Sequence, residues 1–459
     1  MKPRTKTAIL AATIIAVVVV IFAGSWVALQ NRPKLTKLRV SKSIFVDPVI
    51  AADKSAIYLD AIRDSLGTKD YDVTQSSSSD ADIVVSTTNS TGYQALVSEP
   101  IGSPMALIGP QIIEPTQKPT SYIKLSTELS DKLPLIKEKL KQTLKAPTPW
   151  SLTVAGDIII GRTVYQQEAK FGDYTSSFTK VKDLLSAADY TVANAEWTAA
   201  DGIAYPLQGM SFVSPTKSLD GLTYAGIDAV SLANNHSMNG GVLAFEQMLA
   251  SLTSRGIGYF GAGKSYSQAH TPYITDVKGI KVAFLGYTAI PGNFEAGPSS
   301  TGNAFIKIAP WYPFNEASIA QMEIDIKTAK TKADVVIPFF HWSEEYVHTP
   351  NEQMRQVAHR AVEAGATMVV ASHPHWVQGI EWYKDTLIAY SLGNFVFDQE
   401  QSLKTKQGVV LLTEFAGDRL TKASFTPIQI ENYYQPHILD GTAAQEVLNN
   451  IYAHSYWKN

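Results

Sequence analysis

Met368-Val369-Val370-Ala371-Ser372-His373-Pro374-His375 is a short apolar run ending on two histidines that flank a proline. Four to eight apolar residues between turn signals read as a buried strand. The two imidazoles stand just beyond its end, on a backbone that Pro374 restricts. The same pattern recurs upstream. Leu152 to Ala155 runs into Gly156-Asp157, Tyr190 to Ala193 into Asn194-Ala195-Glu196, Ala229 to Leu232 into Ala233-Asn234-Asn235-His236, and Val335 to Phe340 into His341. Val282 to Tyr287 and Leu387 to Tyr390 are further strand candidates. Amphipathic stretches lie between them, with readable ends: Ser214-Pro215 looks like an N-cap followed by proline at the first helical position, and Gly256 like the glycine closing a helix over Val242 to Arg255. Strands alternating with helices predict a layered α/β domain over residues 151–459.

In open α/β sheets, ligands collect at the carboxyl ends of strands, so these five termini can converge on one site. Taken singly, each has a plainer explanation. Gly156-Asp157 reads as a turn or helix N-cap, Glu196 as a solvated carboxylate, Asn235 as a turn residue and His341 as a satisfied histidine. Taken together they bring two carboxylates, an amide and four of the nine histidines to one place. The chain has no cysteine, which excludes disulfides, thiolate zinc sites, iron–sulfur clusters and thiol nucleophiles. A metal must therefore rest on oxygen and imidazole donors. A carboxylate able to bridge, neutral imidazoles and an amide oxygen are what a pair of divalent ions requires.

The stretches GDIIIGR (Gly156 to Arg162), NAEW (Asn194 to Trp197), SLANNHSMNGG (Ser231 to Gly241), GAGKSYSQA (Gly261 to Ala269), HWSEEY (His341 to Tyr346), ASHPHWVQGIEWY (Ala371 to Tyr383) and YSLGNFVFD (Tyr390 to Asp398) occur in that order. On these the chain resembles the capsule-synthesis CapA family of poly-γ-glutamate biosynthesis proteins, whose domain has the calcineurin-like metallophosphoesterase fold. The resemblance implies two divalent ions, with Mn, Fe or Zn as candidates. Asp157, Glu196 and His375 would hold one, and Glu196 would bridge to a second held by Asn235, His341 and His373. It places His236 beside the pair as general acid or as stabiliser of charge on the leaving oxygen. Arg162 and Asn394 complete the expected site as substrate contacts. The planar fork of Arg162 suits phosphate or carboxylate, although a surface salt bridge accounts for it equally. Asn394 can shape the pocket or serve a turn. Four positions depart from the usual pattern: Ala195 stands for Leu, Ser343 for Gly, Asn239 for Asp, and Ile159 where broader metallophosphoesterases carry a histidine. The implied partners are an anionic cell-envelope polymer or its precursor and other capsule-synthesis membrane proteins. Two function classes follow: a metal-dependent hydrolase, or a non-hydrolytic component that binds the polymer and assists its synthesis or export.

The remainder bounds these readings. At 459 residues, 45% hydrophobic and 18% charged, with a net charge of −3 and no basic block outside the N-terminal region, the chain is ordinary folded protein with no footprint for nucleic acid. Ala8 to Leu29 carries no charge and is long enough as a helix for the ~30 Å hydrocarbon layer. It reads as an uncleaved single-pass signal anchor in the cell membrane, with residues 1–7 as a cytoplasmic tail and the body extracytoplasmic. Basic residues flank both sides, and the long C-terminal body decides the orientation. Residues 38–144 read as an accessory α/β domain, with strands at Ile44 to Ile50 and Ala81 to Ser86 and helices at Ser55 to Leu66 and Leu133 to Leu144. Residues 145–150, with Pro147 and Pro149, read as a linker. Gly258 to Ser265 matches the P-loop pattern, but Pro272 follows too soon for the long helix a P-loop opens. No G-x-S-x-G elbow supports a serine hydrolase.

Overall fold

The computed structural model describes residues 148–292 and 294–456, together with the backbone of five short strands before them. The chain forms two compact units, 1–103 with 116–146 and 104–115 with 147–459. In the first unit the strands stand in the order Tyr71–Thr74, Lys42–Val46, Val17–Ile21, Ile83–Ser86, Ser121–Lys124. Val17–Ile21 is antiparallel to both neighbours, and the two outer pairs are parallel. These five residues are therefore extended, within the segment expected to form a transmembrane helix. All five are β-branched, which favours the pleated backbone. Lys42–Val46 and Ile83–Ser86 overlap the two strands expected in this region. The expected helices Ser55 to Leu66 and Leu133 to Leu144, and the rest of Ala8 to Leu29, lie outside the described residues. Among the described residues, no helix is long and apolar enough to cross a membrane.

The second unit is built on two sheets. Strands β1 (Pro149–Ile158), β2 (Tyr190–Ala195), β3 (Ala229–Ser231) and β4 (Gly258–Phe260) run parallel in spatial order β4-β3-β2-β1. Pro149 opens β1, inside the stretch read as a linker; a strand's first residue tolerates the missing N–H. The second sheet comprises β5 (Tyr273–Val277), β6 (Ile280–Thr288), β7 (Val335–His341), β8 (Met368–Ser372), β9 (Ile380–Tyr383) and β10 (Thr386–Ala389), in the order β5-β6-β7-β8-β10-β9. Its four central strands are parallel. The chain then returns to the first sheet. There β11 (Asn394–Val396) pairs parallel with the end of β1, while β12 (Gln407–Ala416), β13 (Arg419–Glu431) and β14 (Gln435–Ile438) extend it antiparallel.

Three apolar cores separate four layers. Helices α1 (Arg162–Phe171), α2 (Lys182–Ser186), α3 (Asp220–Ala225) and α4 (Val242–Ser254) cover the first sheet, with Val164, Leu185, Leu222, Phe245 and Met248 packed on Ile158, Ala193 and Val230. Between the sheets, Leu152, Val154 and Val192 meet Phe284, Ile337, Val370 and Leu387. After the single turn α5 (Tyr266–Ala269), helices α6 (Glu316–Lys330) and α7 (Glu352–Ala364) cover the second sheet, where Met322, Ile326, Val357 and Ala361 pack on Val336, Phe340 and Val369. Alternate residues of β7 thus enter different cores: Val335, Ile337 and Phe339 the middle one, Val336 and Phe340 the outer one. Burial on both faces is why the sequence shows continuous apolar runs instead of alternation. Pro338 is tolerated inside β7 because pairing with β8 starts only at Phe339.

Two local readings resolve differently. Gly256 closes α4 in the left-handed conformation with φ 73°, as expected. Ser214 ends a two-residue strand instead of capping a helix. Pro215 is the extended residue before a 3₁₀ turn, and the Ser214 hydroxyl donates to Ser218 at 2.9 Å.

Candidate metal centre

The parallel strands of both sheets deliver their polar termini to one place. Asp157 stands near the end of β1, Glu196 immediately after β2, Asn235 and His236 in the turn after β3, His341 at the last position of β7, and His373 and His375 in the turn after β8. A bulge in β1 between Val154 and Asp157 re-aims the strand at this point. Gly156 is required there, because a Cβ would lie 2.0 Å from the Gly393 carbonyl that accepts the Asp157 N–H at 3.1 Å.

Two groups of candidate ligand atoms result, each with its atoms within 4.8 Å of one another: Asp157, Glu196 and His375, and Glu196, His341 and His373. Glu196 belongs to both. All five side chains are buried, and both Glu196 oxygens are buried without a hydrogen-bond donor, as is Nε2 of His373. Around Nε2 of His341 stand Oδ1 of Asn235 at 2.7 Å, Nδ1 of His373 at 3.1 Å and a Glu196 oxygen at 3.6 Å. The two ring nitrogens can share only one proton between them, and whichever carries it, lone pairs of the other nitrogen, Asn235 and Glu196 are left facing each other. A cation relieves that crowding, and the residues present fit a divalent ion in each group.

The electrostatics agree with that fit. Burial, the largest influence, pushes the Glu196 carboxyl well above its ordinary value, and nearby Asp157 pushes it further. Burial also raises Asp157, against the opposing pull of His375 and of hydrogen bonds from Asn194 and His373. Burial holds His341 and His373 well below the usual imidazole range, with the other histidines adding to the effect. Acids and bases alike are pressed toward neutrality, which marks a dry pocket without its own counter-charge.

Asparagines orient this cluster, and most of them carried no site signal in the sequence. Asn194 donates to Asp157 at 2.7 Å and its Nδ2 lies 3.3 Å from His341 Nδ1. Asn234 donates to Asn194 at 3.0 Å and to the Ala195 carbonyl at 2.8 Å, while its own oxygen accepts the backbone N–H groups of His236 and Ser237. Asn394, expected as a substrate contact, is fully buried and points elsewhere: its Nδ2 donates to the Thr405 carbonyl at 2.8 Å, which turns Oδ1 to Nδ1 of His375 at 2.9 Å. The proton is thereby fixed on Nδ1 of His375 and Nε2 is left as the ligand atom, the arrangement metal-bound histidines ordinarily show.

His236 lies beside the groups and belongs to neither. Its Nδ1 donates to Oδ1 of Asn239 at 2.8 Å, an oxygen already identified as acceptor by the Phe212 N–H at 2.8 Å. An amide oxygen thus does the orienting work expected of the missing carboxylate. Burial pulls the imidazole down to about 4, although its bonds to Asn239 and to the Met210 carbonyl favour the charged form. The Phe212 ring packs on His236 at 4.1 Å, and the Arg162 guanidinium lies 4.4 Å over Phe212. Arg162 pairs with Asp398 and donates to the Gly209 carbonyl at 3.0 Å.

Non-glycine residues with positive φ divide into two sets. Lys278, Lys384, Asp385, Asn432 and Tyr433 lie in the turns of antiparallel hairpins, where that geometry is ordinary. Arg162, Ser343, Tyr346, His373 and His375 stand on or beside the ligand cluster. Ser343, where the related pattern has glycine, sits at φ 84°. The Gly258 to Ser265 stretch forms two short strands and leads into the four-residue α5, too short for phosphate binding at its N-terminus.

Residues 151–399 match the family model described as bacterial capsule synthesis protein PGA_cap. The chain is 31% identical over 284 residues to the PGA biosynthesis protein CapA of Bacillus subtilis (strain 168), covering 61% of this chain and 71% of that one. It is 29% identical over 288 residues to the capsule biosynthesis protein CapA of Bacillus anthracis, covering 61% and 67%. Among solved structures, a 5'-nucleotidase from Candida albicans SC5314 aligns with 13% identity and a TM-score of 0.35, over 68% of this chain and 58% of that one.

Proposed function

The chain belongs to the bacterial capsule synthesis protein PGA_cap family, and from that premise we propose that it serves production of an anionic envelope polymer as a metal-dependent hydrolase of the metallophosphoesterase type. The observation that carries the reading is Glu196, a carboxylate common to two ligand groups with both oxygens buried and without a donor. Asp157, Glu196 and His375 hold one divalent ion, and Glu196, Asn235, His341 and His373 a second; the mixed oxygen and nitrogen donors suit Mn, Fe or Zn. Two such ions supply a nucleophilic water at neutral pH and a clamp on the oxygens of an in-line displacement. The chain does the rest. Asn194 and Asn394 hold Asp157 and His375 in register. Phe212 and Asn239 hold His236 at the edge of the cluster, where it serves the leaving oxygen.

A non-hydrolytic polymer-binding role is the second reading. It is favoured by Asn239 and Ile159, which replace a carboxylate and a histidine of related sites. The full chain loaded with Mn separates the two. About two ions per chain, with turnover of a generic phosphodiester or a γ-glutamyl polymer that His236→Ala abolishes while metal content is retained, supports the hydrolase. Retained metal with polymer binding and no turnover overturns it in favour of the accessory role.

The proposed setting is the cell membrane, with the 151–459 body extracytoplasmic. This rests on the uncharged stretch Ala8 to Leu29 and needs a helix there, whereas Val17–Ile21 is extended. Carbonate extraction of membranes decides: retention of the full chain in the pellet supports an anchor, and release into the supernatant removes it.

A further inference from the structure

Tyr346 stands beside the ligand cluster, and neither the metal groups nor His236 account for it. Its ring centroid is 6.1 Å from that of His375, and its backbone N–H donates to the Pro374 carbonyl at 2.8 Å, which ties it to the ligand-bearing turn. It holds a left-handed φ of 64°, a conformation that costs about 1 kcal/mol for a bulky residue. Burial in a core does not explain that cost, because the residue is 36% exposed. The hydroxyl is already used: Gln399 and Gln401 donate to it at 3.3 Å each, and it hydrogen-bonds the Glu345 carboxylate. What the residue leaves free for a ligand is therefore its ring.

The surroundings restrict what that ring can take. An aromatic face carries the negative end of a quadrupole, which repels a carboxylate or phosphate and attracts polarised C–H groups or cations. The Glu345 carboxylate on the hydroxyl adds to that repulsion, so a free anion is disfavoured on this side a second time. A second cation is opposed by Lys404, which lies 4.7 Å over the neighbouring Trp376 ring, itself 6.1 Å from Tyr346. We infer that Tyr346 is a substrate-positioning residue acting through its ring face, and that the group it receives is a neutral six-membered ring of the hexose kind carried on the ester.

This rests on the hydrolase reading, and the test separates the two. The Mn-loaded full chain is assayed on glucose 1-phosphate, methyl phosphate and phosphocholine, as wild type, Tyr346→Phe and Tyr346→Ala. The ratio of kcat/KM for glucose 1-phosphate to that for methyl phosphate should fall about tenfold in Tyr346→Ala, the worth of one aromatic contact, and hold within about twofold in Tyr346→Phe. Equal losses on both esters, equal damage from Phe and Ala, or a larger effect on phosphocholine would each overturn the assignment. If the wild type turns over none of the three, and no phosphodiester or γ-glutamyl polymer either, the hydrolase reading fails by itself. Saturation-transfer NMR with methyl glucoside then reads the platform: transfer in the wild type lost in Tyr346→Ala supports it, and no transfer, or equal transfer in both, overturns it.

Discussion

The two sheets of the 147–459 unit meet at one site and bring unlike chemistry to it. The first delivers oxygen, through Asp157, Glu196 and Asn235; the second delivers nitrogen, through His341, His373 and His375. Their backbones differ as well. No oxygen donor has a positive φ, whereas His373 and His375 stand at 96° and 58°. Spacing explains this. Residues two apart share one face of a strand, yet His373 and His375 belong to different ligand groups, so the backbone between them must leave the extended form. Asp157 and Glu196 each sit at the end of a separate strand and need no such departure. On the oxygen side an asparagine, Asn194, fixes Asp157 while Glu196 has no donor; on the nitrogen side the ligands sit on a strained turn, with Asn394 orienting His375.

The largest effect should separate the shared donor from an unshared one. Glu196→Gln is expected to drop bound metal from about two ions per chain to near none, and His375→Ala to about one, as counted by elemental analysis. Equal losses from the two variants would break the asymmetry. Next come the orienting amides. Asn394→Ala on the nitrogen side and Asn194→Ala on the oxygen side should each weaken metal affinity by roughly 10- to 100-fold, measured by competition with a chelator. A negligible effect of Asn394→Ala would mean that the proton on His375 is fixed by something else.

A third prediction concerns a carboxylate that no ion serves. Glu168, on the helix following β1, is buried, accepts from Ser177 at 2.6 Å and has its second oxygen unpartnered; burial pushes it up to about 8. Its folded-state value is raised, so the folded chain keeps a proton that the unfolded chain releases. The cost is absent below the ordinary carboxylate value near 4.5 and grows as pH rises toward 8. Glu168→Gln should therefore raise Tm by several degrees at pH 8 and by little at pH 5, read by scanning calorimetry; the opposite pH trend would contradict the burial argument. The smallest effect is Ser343→Gly. Relief of a left-handed φ should stabilise by about 0.5 to 1 kcal/mol, less the loss of the 3.3 Å bond from Ser343 to Glu344, visible as a slight rise in Tm. A fall would place the serine hydroxyl above the strain.

Much of this was legible in the linear chain. Parallel strands buried on both faces must be written as apolar runs, so Leu152 to Ala155 and Val335 to Phe340 stand out, and whatever follows such a run arrives at the carboxyl edge. The orienting residues were not legible. An asparagine's role depends on which strand comes to lie beside it, and Asn394 reaches His375 only because β11 returns to pair with the end of β1. The roles of Arg162 and Tyr346 were hidden in the same way, since their partners Asp398 and Gln399 belong to a distant loop.

By itself the sequence determined which atoms are available: oxygen and imidazole donors, no thiol, and a layered α/β frame that gathers strand ends. Only the tertiary structure decided how they are used. It set Glu196 between two groups of ligands, turned Asn394 inward to His375 and left the ring of Tyr346 facing out. The reason is physical: burial on two faces is a property of local pattern, but a hydrogen bond or a shared ligand is a distance between segments, and distances between segments exist only once the sheets have formed.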